Sequence, residues 1–220
     1  MAAATLAHDA RHPTTAVITS LLRPVMGRVV TPLATGLLRA GVTPDAVTAA
    51  GTVGVVAGAL ALWATGHFLA GTAVITLFVL TDVLDGTMAR TLGTTSRYGA
   101  WLDSTCDRAA DAAVFGSLAW WFAHGGDDSL GQALALVVLV TSSLVSYAKA
   151  RAQGLGFSCD VGIAERTERL VVVLAAGFAL GLGAPGTVMV VALAVLAALT
   201  LITVGQRARE VRRQATLLGP

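Results

Sequence analysis

Between Thr81 and Asp111 the chain reads TDVLDGTMARTLGTTSRYGAWLDSTCDRAAD, placing Asp82, Asp85, Asp103, Asp107 and Asp111 inside an otherwise oily sequence. Residues of 220 in all are 55% hydrophobic and only 13% charged, with a mean hydropathy of +0.74. A soluble domain carries about 25% charged residues, so the chain is read as an integral membrane protein. Charges within membrane segments are costly and mark functional sites by default. Every other feature of the sequence is placed relative to this stretch.

Apolar runs set the expected architecture: an all-α membrane protein of six spans, at about 45–65, 68–91, 99–123, 129–151, 162–182 and 186–208. Each approaches the roughly 20 residues that a span requires. Gly41-Val42-Thr43-Pro44-Asp45 is a stop and restart, with Thr43 as a cap and Pro44 in the first turn. Phe68–Thr81 is too short to cross alone, so its helix is expected to run on through Arg90, putting the first carboxylates at the end of a span. Ahead of the spans, Val17, Leu21, Val25, Val29, Leu33 and Leu37 recur every four residues, with Arg23, Arg28 and Arg39 elsewhere. That pattern predicts an amphipathic helix over 16–40 lying at the membrane surface, kinked at Pro24 and Pro32; the alternative is a seventh span. Residues 1–15 are expected to be flexible, 16–213 to form one domain, and 214–220 a tail.

Positive charge fixes the orientation. With six spans, all 15 Lys and Arg fall on the side of the termini or in adjoining helix ends; the turns at 66–67, 124–128 and 183–186 have none. The positive-inside rule puts both termini and the acidic cluster at the cytoplasm. Arginine greatly outnumbers lysine and Ala and Gly abound, which points to a GC-rich bacterial genome and hence a bacterial plasma membrane. The N-terminus lacks the charged and apolar regions of a cleaved signal peptide. Cys106 and Cys159 fit no metal spacing or disulfide framework, and a net charge of +2 gives no reason to expect nucleic acid.

Helical periodicity gathers the carboxylates. Asp82, Asp85, Gly86 and Ala89 share one face at i, i+3, i+4 and i+7; Gly99, Asp103 and Asp107 share another at intervals of four. Both faces meet the same connector, Leu92–Tyr98. Left unneutralised, the converging acids would repel one another strongly. Carboxylates without His or Cys favour a hard divalent ion, Mg²⁺ or Mn²⁺. Gly86, Ala89 and Gly99 leave room for a ligand, and Arg90 at the same end can meet an anion. Metal, cation and open cleft are what diphosphate chemistry uses. The plainer alternative pairs Asp103, Asp107 and Asp111 with Arg90, Arg97 and Arg108; for Asp111 and Arg108, three residues apart, that pairing is expected. Downstream, Lys149, Arg151, Arg166, Arg169, Arg207 and Arg209 sit at the same ends of the last three spans, where they can form a basic pocket for a phosphorylated alcohol. Basic helix ends also serve topology and anionic headgroups, the role expected of Arg212 and Arg213.

The pattern Asp82-x2-Asp85-Gly86-x2-Ala89-Arg90-x8-Gly99-x3-Asp103-x3-Asp107 resembles the signature of the CDP-alcohol phosphotransferase family at all eight fixed positions. The resemblance implies a six-helix, usually dimeric membrane enzyme that transfers a phosphatidyl-type group from a CDP-linked lipid to an alcohol and releases CMP. It further implies that Asp82, Asp85 and Asp103 bind divalent metal, two ions in all. Asp107 would be the base and touch the second ion, while Gly86, Ala89 and Arg90 line the cytidine diphosphate site. From about residue 17 to 213 the chain is similar to an actinobacterial branch that uses an inositol phosphate acceptor. The likeness is carried by Gly41–Thr48, Asp103–Asp111, Lys149-Ala-Arg151 and Asp160–Arg169. In that branch Asp45, Ala46, Val47, Thr48 and Ser96 help hold the CDP-lipid; Lys149, Arg166, Arg169 and Arg209 are expected to hold the inositol phosphate. The implied reaction passes the phosphatidyl group of CDP-diacylglycerol to 1D-myo-inositol 3-phosphate. Glycerol 3-phosphate is the rival acceptor; a cation transporter and a prenyl-diphosphate transferase are readings from other classes. Arg90 beside the acids disfavours the transporter. Acidic motifs in adjoining helices, rather than in two distant segments, disfavour the prenyl transferase.

Overall fold

The computed structural model describes residues 29–93 and 96–218. Those residues are helical throughout, joined by short turns and one longer loop, with no strand among them. The early part of the predicted surface helix, 16–28 with Arg23, Pro24 and Arg28, lies outside the described residues.

Helix α1 (Thr31–Arg39) carries Pro32 in its first turn, where the missing N–H costs nothing. Ala34, Leu37 and Leu38 face inward onto Val47 and Met88, while Val29 and Leu33 point outward. Gly41, at φ 80°, makes the reversal. α2 (Pro44–Gly58) starts where Thr43 Oγ1 accepts the Ala46 N–H at 3.2 Å. It passes into a π-helical turn, Ala59–Trp63, that ends on the fully buried Trp63. Indole Nε1 donates to Thr72 Oγ1 (3.2 Å) and Phe68 O (3.3 Å), so the largest core side chain is also satisfied in its polar atom.

The second span runs on through the acids as expected, as the helical stretch Phe68–Leu92. A single turn residue, Leu80, divides it into α3 (Phe68–Val79) and α4 (Thr81–Leu92). Thr81 Oγ1 donates back to Phe78 O at 2.6 Å beside it. Leu80 N–H still reaches Thr76 O at 3.1 Å, so backbone hydrogen bonding continues through the turn. Gly93, in the left-handed region at φ 65°, closes α4. Ser96 then caps α5 (Arg97–His124), its Oγ accepting the Gly99 N–H at 2.8 Å.

α6 (Ser129–Gly154) is capped by Asp128, whose carboxylate accepts the Gly131 N–H at 2.9 Å. α7 (Arg166–Gly181) begins four residues later than the predicted span, and α8 (Thr187–Leu218) runs ten residues past the predicted end. Trp63, Phe115, Leu118, Phe122, Val138, Val173 and Leu193 form the core where α2, α5, α6, α7 and α8 meet. Four helical stretches are long and apolar enough to cross a membrane: Pro44–Trp63, Phe68–Leu92, Ser129–Gly154 and Thr187–Leu217. α5 has the length but carries the acids; α7 has 16 residues.

The loop 155–165 is tied to α8 at three levels. Thr203 Oγ1 accepts from Ala164 N–H (3.1 Å) and Ile163 N–H (3.3 Å), Arg207 Nε donates to Val161 O (2.9 Å), and Gln214 Nε2 donates to Ser158 O (2.6 Å). The loop thus becomes a fixed wall beside the start of α7.

Candidate active site: two cavities divided by an arginine

The acidic helix faces enclose a cavity of about 380 Å³ between the start of α2, α4 and the start of α5. Pro44, Asp45, Thr48, Asp82, Asp85, Gly86 and Ala89 line it, with Ser96, Gly99, Ala100 and Asp103 opposite. Asp85 is buried and accepts a short hydrogen bond from Thr48 Oγ1, which fixes the carboxylate across the α2–α4 contact. The small residues determine the opening. A Cβ on Gly99 would lie 3.0 Å from Ser96 Oγ and 3.2 Å from Asp45 Oδ1; one on Gly86 would lie 3.5 Å from Arg90 Nη1.

Three expected donor contacts stand elsewhere. Ala46 is exposed, and Val47 packs with Ala34 and Met88. Arg90 is beside Gly86 with its Nη2 donating to Thr87 Oγ1 at 3.1 Å, outside the cavity lining.

A second cavity, of about 270 Å³, opens between α5, α6, the start of α7 and α8. Its wall contains Ser104, Asp107 and Arg108 from α5, and Val145, Ser146, Lys149, Ala150 and Gln153 from α6. Glu165, Arg166, Arg169 and Arg207 complete it. Lys149, Arg166 and Arg169 are therefore gathered as the sequence suggested, whereas Arg209 is exposed outside the lining and Arg207 takes the inward position. Buried positions on α8 run Leu193, Leu196, Thr200, Thr203 and Arg207 at intervals of three and four. That phase includes 207 and excludes 209, a signal present in the sequence. Ser146, Lys149, Ala150 and Gln153 likewise follow i, i+3, i+4 and i+7 on α6, so the spacing from the expected Lys149 could have added Ser146 and Gln153.

Arg166 separates the two cavities. Its Nη1 is 2.7 Å from Asp82 Oδ2, in the first cavity, and 2.9 Å from Asp107 Oδ1, in the second. Asp111 does not pair with Arg108. Its Oδ2 takes Arg169 Nη2 at 2.8 Å in a nearly dry setting, and Arg108 instead lies 3.5 Å from Asp107. The expected i, i+3 pair loses because the core supplies Asp111 with a fully buried guanidinium, itself anchored by donation to Ala164 O at 3.0 Å. Lys149 pairs with Asp160 at 2.9 Å, and Arg207 with Glu165 at 3.1 Å.

The donor set around the first cavity fits a hard divalent cation, since Asp82, Asp85 and Asp103 present only oxygen. Among the described residues, however, no three acidic, His or Cys side chains close around one point suited to an ion. Arg166 already holds an oxygen of Asp82 and one of Asp107.

These features define a membrane-embedded protein with an oxygen-rich acidic cavity adjoining a basic one. Residues 41–207 match the CDP-alcohol phosphatidyltransferase family, and the chain belongs to that family. It is 49% identical over 207 residues to the phosphatidylinositol phosphate synthase of Streptomyces avermitilis, covering 91% of this chain and 84% of that protein. Its identity to the Mycobacterium marinum phosphatidylinositol phosphate synthase is 50% over 194 residues, covering 85% and 81%. Among solved structures, it resembles the Mycobacterium tuberculosis phosphatidylinositol phosphate synthase with CDP-DAG bound. There the TM-score is 0.80 at 45% identity, covering 84% of this chain and 94% of that one. The same enzyme in complex with manganese and citrate gives 0.79 at 46% identity, covering 83% and 88%.

Proposed function

We propose that this chain is a phospholipid-synthesising enzyme that transfers the phosphatidyl group of CDP-diacylglycerol to a hydroxyl of 1D-myo-inositol 3-phosphate, giving phosphatidylinositol phosphate and CMP. The observation that carries the reading is the pairing of an acidic, small-residue cavity with a basic one, meeting at Asp107. Identity near 50% to enzymes of that name, over most of both chains, supports the choice of acceptor.

The donor's cytidine diphosphate lies in the first cavity, where Gly86, Ala89 and Gly99 admit it and Asp45, Thr48 and Ser96 offer polar contacts. Asp82, Asp85, Asp103 and Asp107 hold two divalent ions, Mg²⁺ or Mn²⁺. Bound there, the ions would neutralise phosphoryl oxygens and steady the CMP leaving group. The inositol phosphate lies in the second cavity, its phosphate among Lys149, Arg166 and Arg207. Asp107 takes the proton from the attacking hydroxyl, whose oxygen bonds to the β-phosphorus as the bond from that phosphorus to the CMP oxygen breaks.

Six spans and cytoplasmic termini complete the proposal. Exposed Trp101 and Trp120 sit on α5 about 28 Å apart at 1.5 Å per residue. That spacing suits aromatic anchors at the two faces of a bilayer core roughly 30 Å thick. On this register Asp103 and Asp107 lie within two turns of the cytoplasmic boundary, and Leu33 of α1, with Val29 just ahead of it, faces the interface. In the plasma membrane the enzyme works as a homodimer, a reading that rests on the family resemblance.

The test is CMP release by the purified protein with CDP-diacylglycerol and Mg²⁺ or Mn²⁺, offering 1D-myo-inositol 3-phosphate, free inositol or glycerol 3-phosphate in turn. Release is expected with the inositol phosphate. Release with glycerol 3-phosphate alone would reassign the acceptor, and no release with any would remove the proposal.

A further inference from the structure

Arg166 is placed where two incompatible demands meet. Its Nη1 makes both carboxylate contacts, to Asp82 Oδ2 and Asp107 Oδ1. A divalent ion of the Mg²⁺ class binds carboxylate oxygen at about 2.1 Å. An ion on those same oxygens would stand against a guanidinium nitrogen 2.7 Å from one of them, with like charge on both. The arginine and the ions thus compete for the same carboxylates, and charge repulsion between them weakens the arginine's hold as the ions load.

The arginine also has somewhere to go. It lines the basic cavity as well as bridging the acids. Its Nε is buried without a hydrogen-bond partner and faces Asp111 Oδ1, equally buried and unpartnered, across 3.7 Å. That separation is too long for a hydrogen bond, and a turn of the guanidinium toward Asp111 would satisfy both atoms. Asp111 is itself fixed by Arg169, so it can act as a rigid pivot. Lys149, Arg169 and Arg207 are each paired within the wall, with Asp160, Asp111 and Glu165. The cavity therefore gains positive charge for an anion when Arg166 swings in.

We infer that Arg166 is a two-position residue coupling metal loading to acceptor binding: it bridges Asp82 and Asp107, or it leaves them to hold a phosphate in the basic cavity. This rests on the proposed assignment of metals to the acidic residues and of a phosphorylated acceptor to the second cavity. Coupling of this kind is reciprocal, so phosphate tightens metal binding by the same factor by which metal tightens phosphate. The two ligands therefore assemble cooperatively: the acceptor phosphate binds its arginine more tightly once the acidic cluster is loaded.

The test uses the full chain in detergent or nanodiscs, with Mn²⁺ binding followed by electron paramagnetic resonance and inorganic phosphate as the anion. Phosphate keeps the test independent of which alcohol is the true acceptor. In the unaltered protein, saturating phosphate is expected to lower the Mn²⁺ dissociation constant about tenfold, within the usual range of allosteric coupling. Arg166→Gln should bind Mn²⁺ more tightly on its own, and the effect of phosphate should vanish. Arg166→Lys retains the charge but not the fork, and should fall between the two. Unchanged or weaker Mn²⁺ binding in both variants, or coupling that persists in Arg166→Gln, would overturn the inference. An unaltered protein that binds no Mn²⁺ would instead strike the metal assignment on which the proposed function stands.

Discussion

The two cavities are built by opposite means. The first is carved by omission: Gly86, Ala89 and Gly99 withhold side chains between acidic helix faces, and Thr48 braces Asp85. The second is built by surplus: charged side chains crowd it, and each basic group already has a protein partner, from Lys149–Asp160 to Arg207–Glu165. A ligand entering the first cavity meets shape and carboxylate oxygen held by Thr48 at Asp85 and by Arg166 at Asp82; an anion entering the second must compete with carboxylates already there. Under the proposed function, space and ion-site geometry would govern donor recognition, and exchange of partners would govern acceptor recognition.

If that contrast is right, variants on the two sides should fail differently. Among variants confined to one cavity, the largest loss is expected for Asp82→Asn and Asp103→Asn, with turnover falling about a hundredfold to a thousandfold, as for removal of a principal electrostatic stabiliser; steady-state CMP release would measure it. Asp111→Ala should act mainly on stability. It strands a buried arginine, at a cost of about 3 kcal/mol, seen as a lower unfolding temperature even without substrates. Gly99→Val should crowd Asp45 and Ser96 and weaken CDP-lipid binding by roughly tenfold (about 1.4 kcal/mol), with phosphate binding at the other cavity unchanged. Equal weakening at both would erase the distinction between them. The smallest effect is expected for Asp160→Asn, which frees Lys149 from a partly exposed pair worth under about 1 kcal/mol and should lower the acceptor KM a few-fold at most.

What could be read in advance follows the same division. The first cavity is legible because its acids lie on two adjoining helices, so a period of 3.6 residues brings 82, 85, 86 and 89 to face 99 and 103. The second depends on contacts that no local period reveals: Arg166 reaches Asp82 across 84 residues, and Arg169 reaches Asp111 across 58. Those contacts explain why the short-range Asp111–Arg108 expectation failed. The choice between Arg207 and Arg209 turned on the phase of α8, which its buried stripe from Leu193 to Thr203 could have supplied. The turn at Leu80 was hidden for a different reason. An apolar run shows where a helix persists, not the residue at which its regular hydrogen bonding is interrupted, here beside the Thr81 hydroxyl.

The division meets at Asp107, which belongs to the basic cavity's wall yet shares Arg166 with Asp82. The most direct test is to compare CDP-diacylglycerol binding and CMP release in Asp107→Asn. The account predicts that donor binding is retained, since Asp82, Asp85 and Asp103 remain to hold metal and the first cavity's lining is unaltered, with CMP release lowered by roughly a hundredfold to ten-thousandfold, the usual cost of removing a general base. Near-normal turnover in that variant would contradict it.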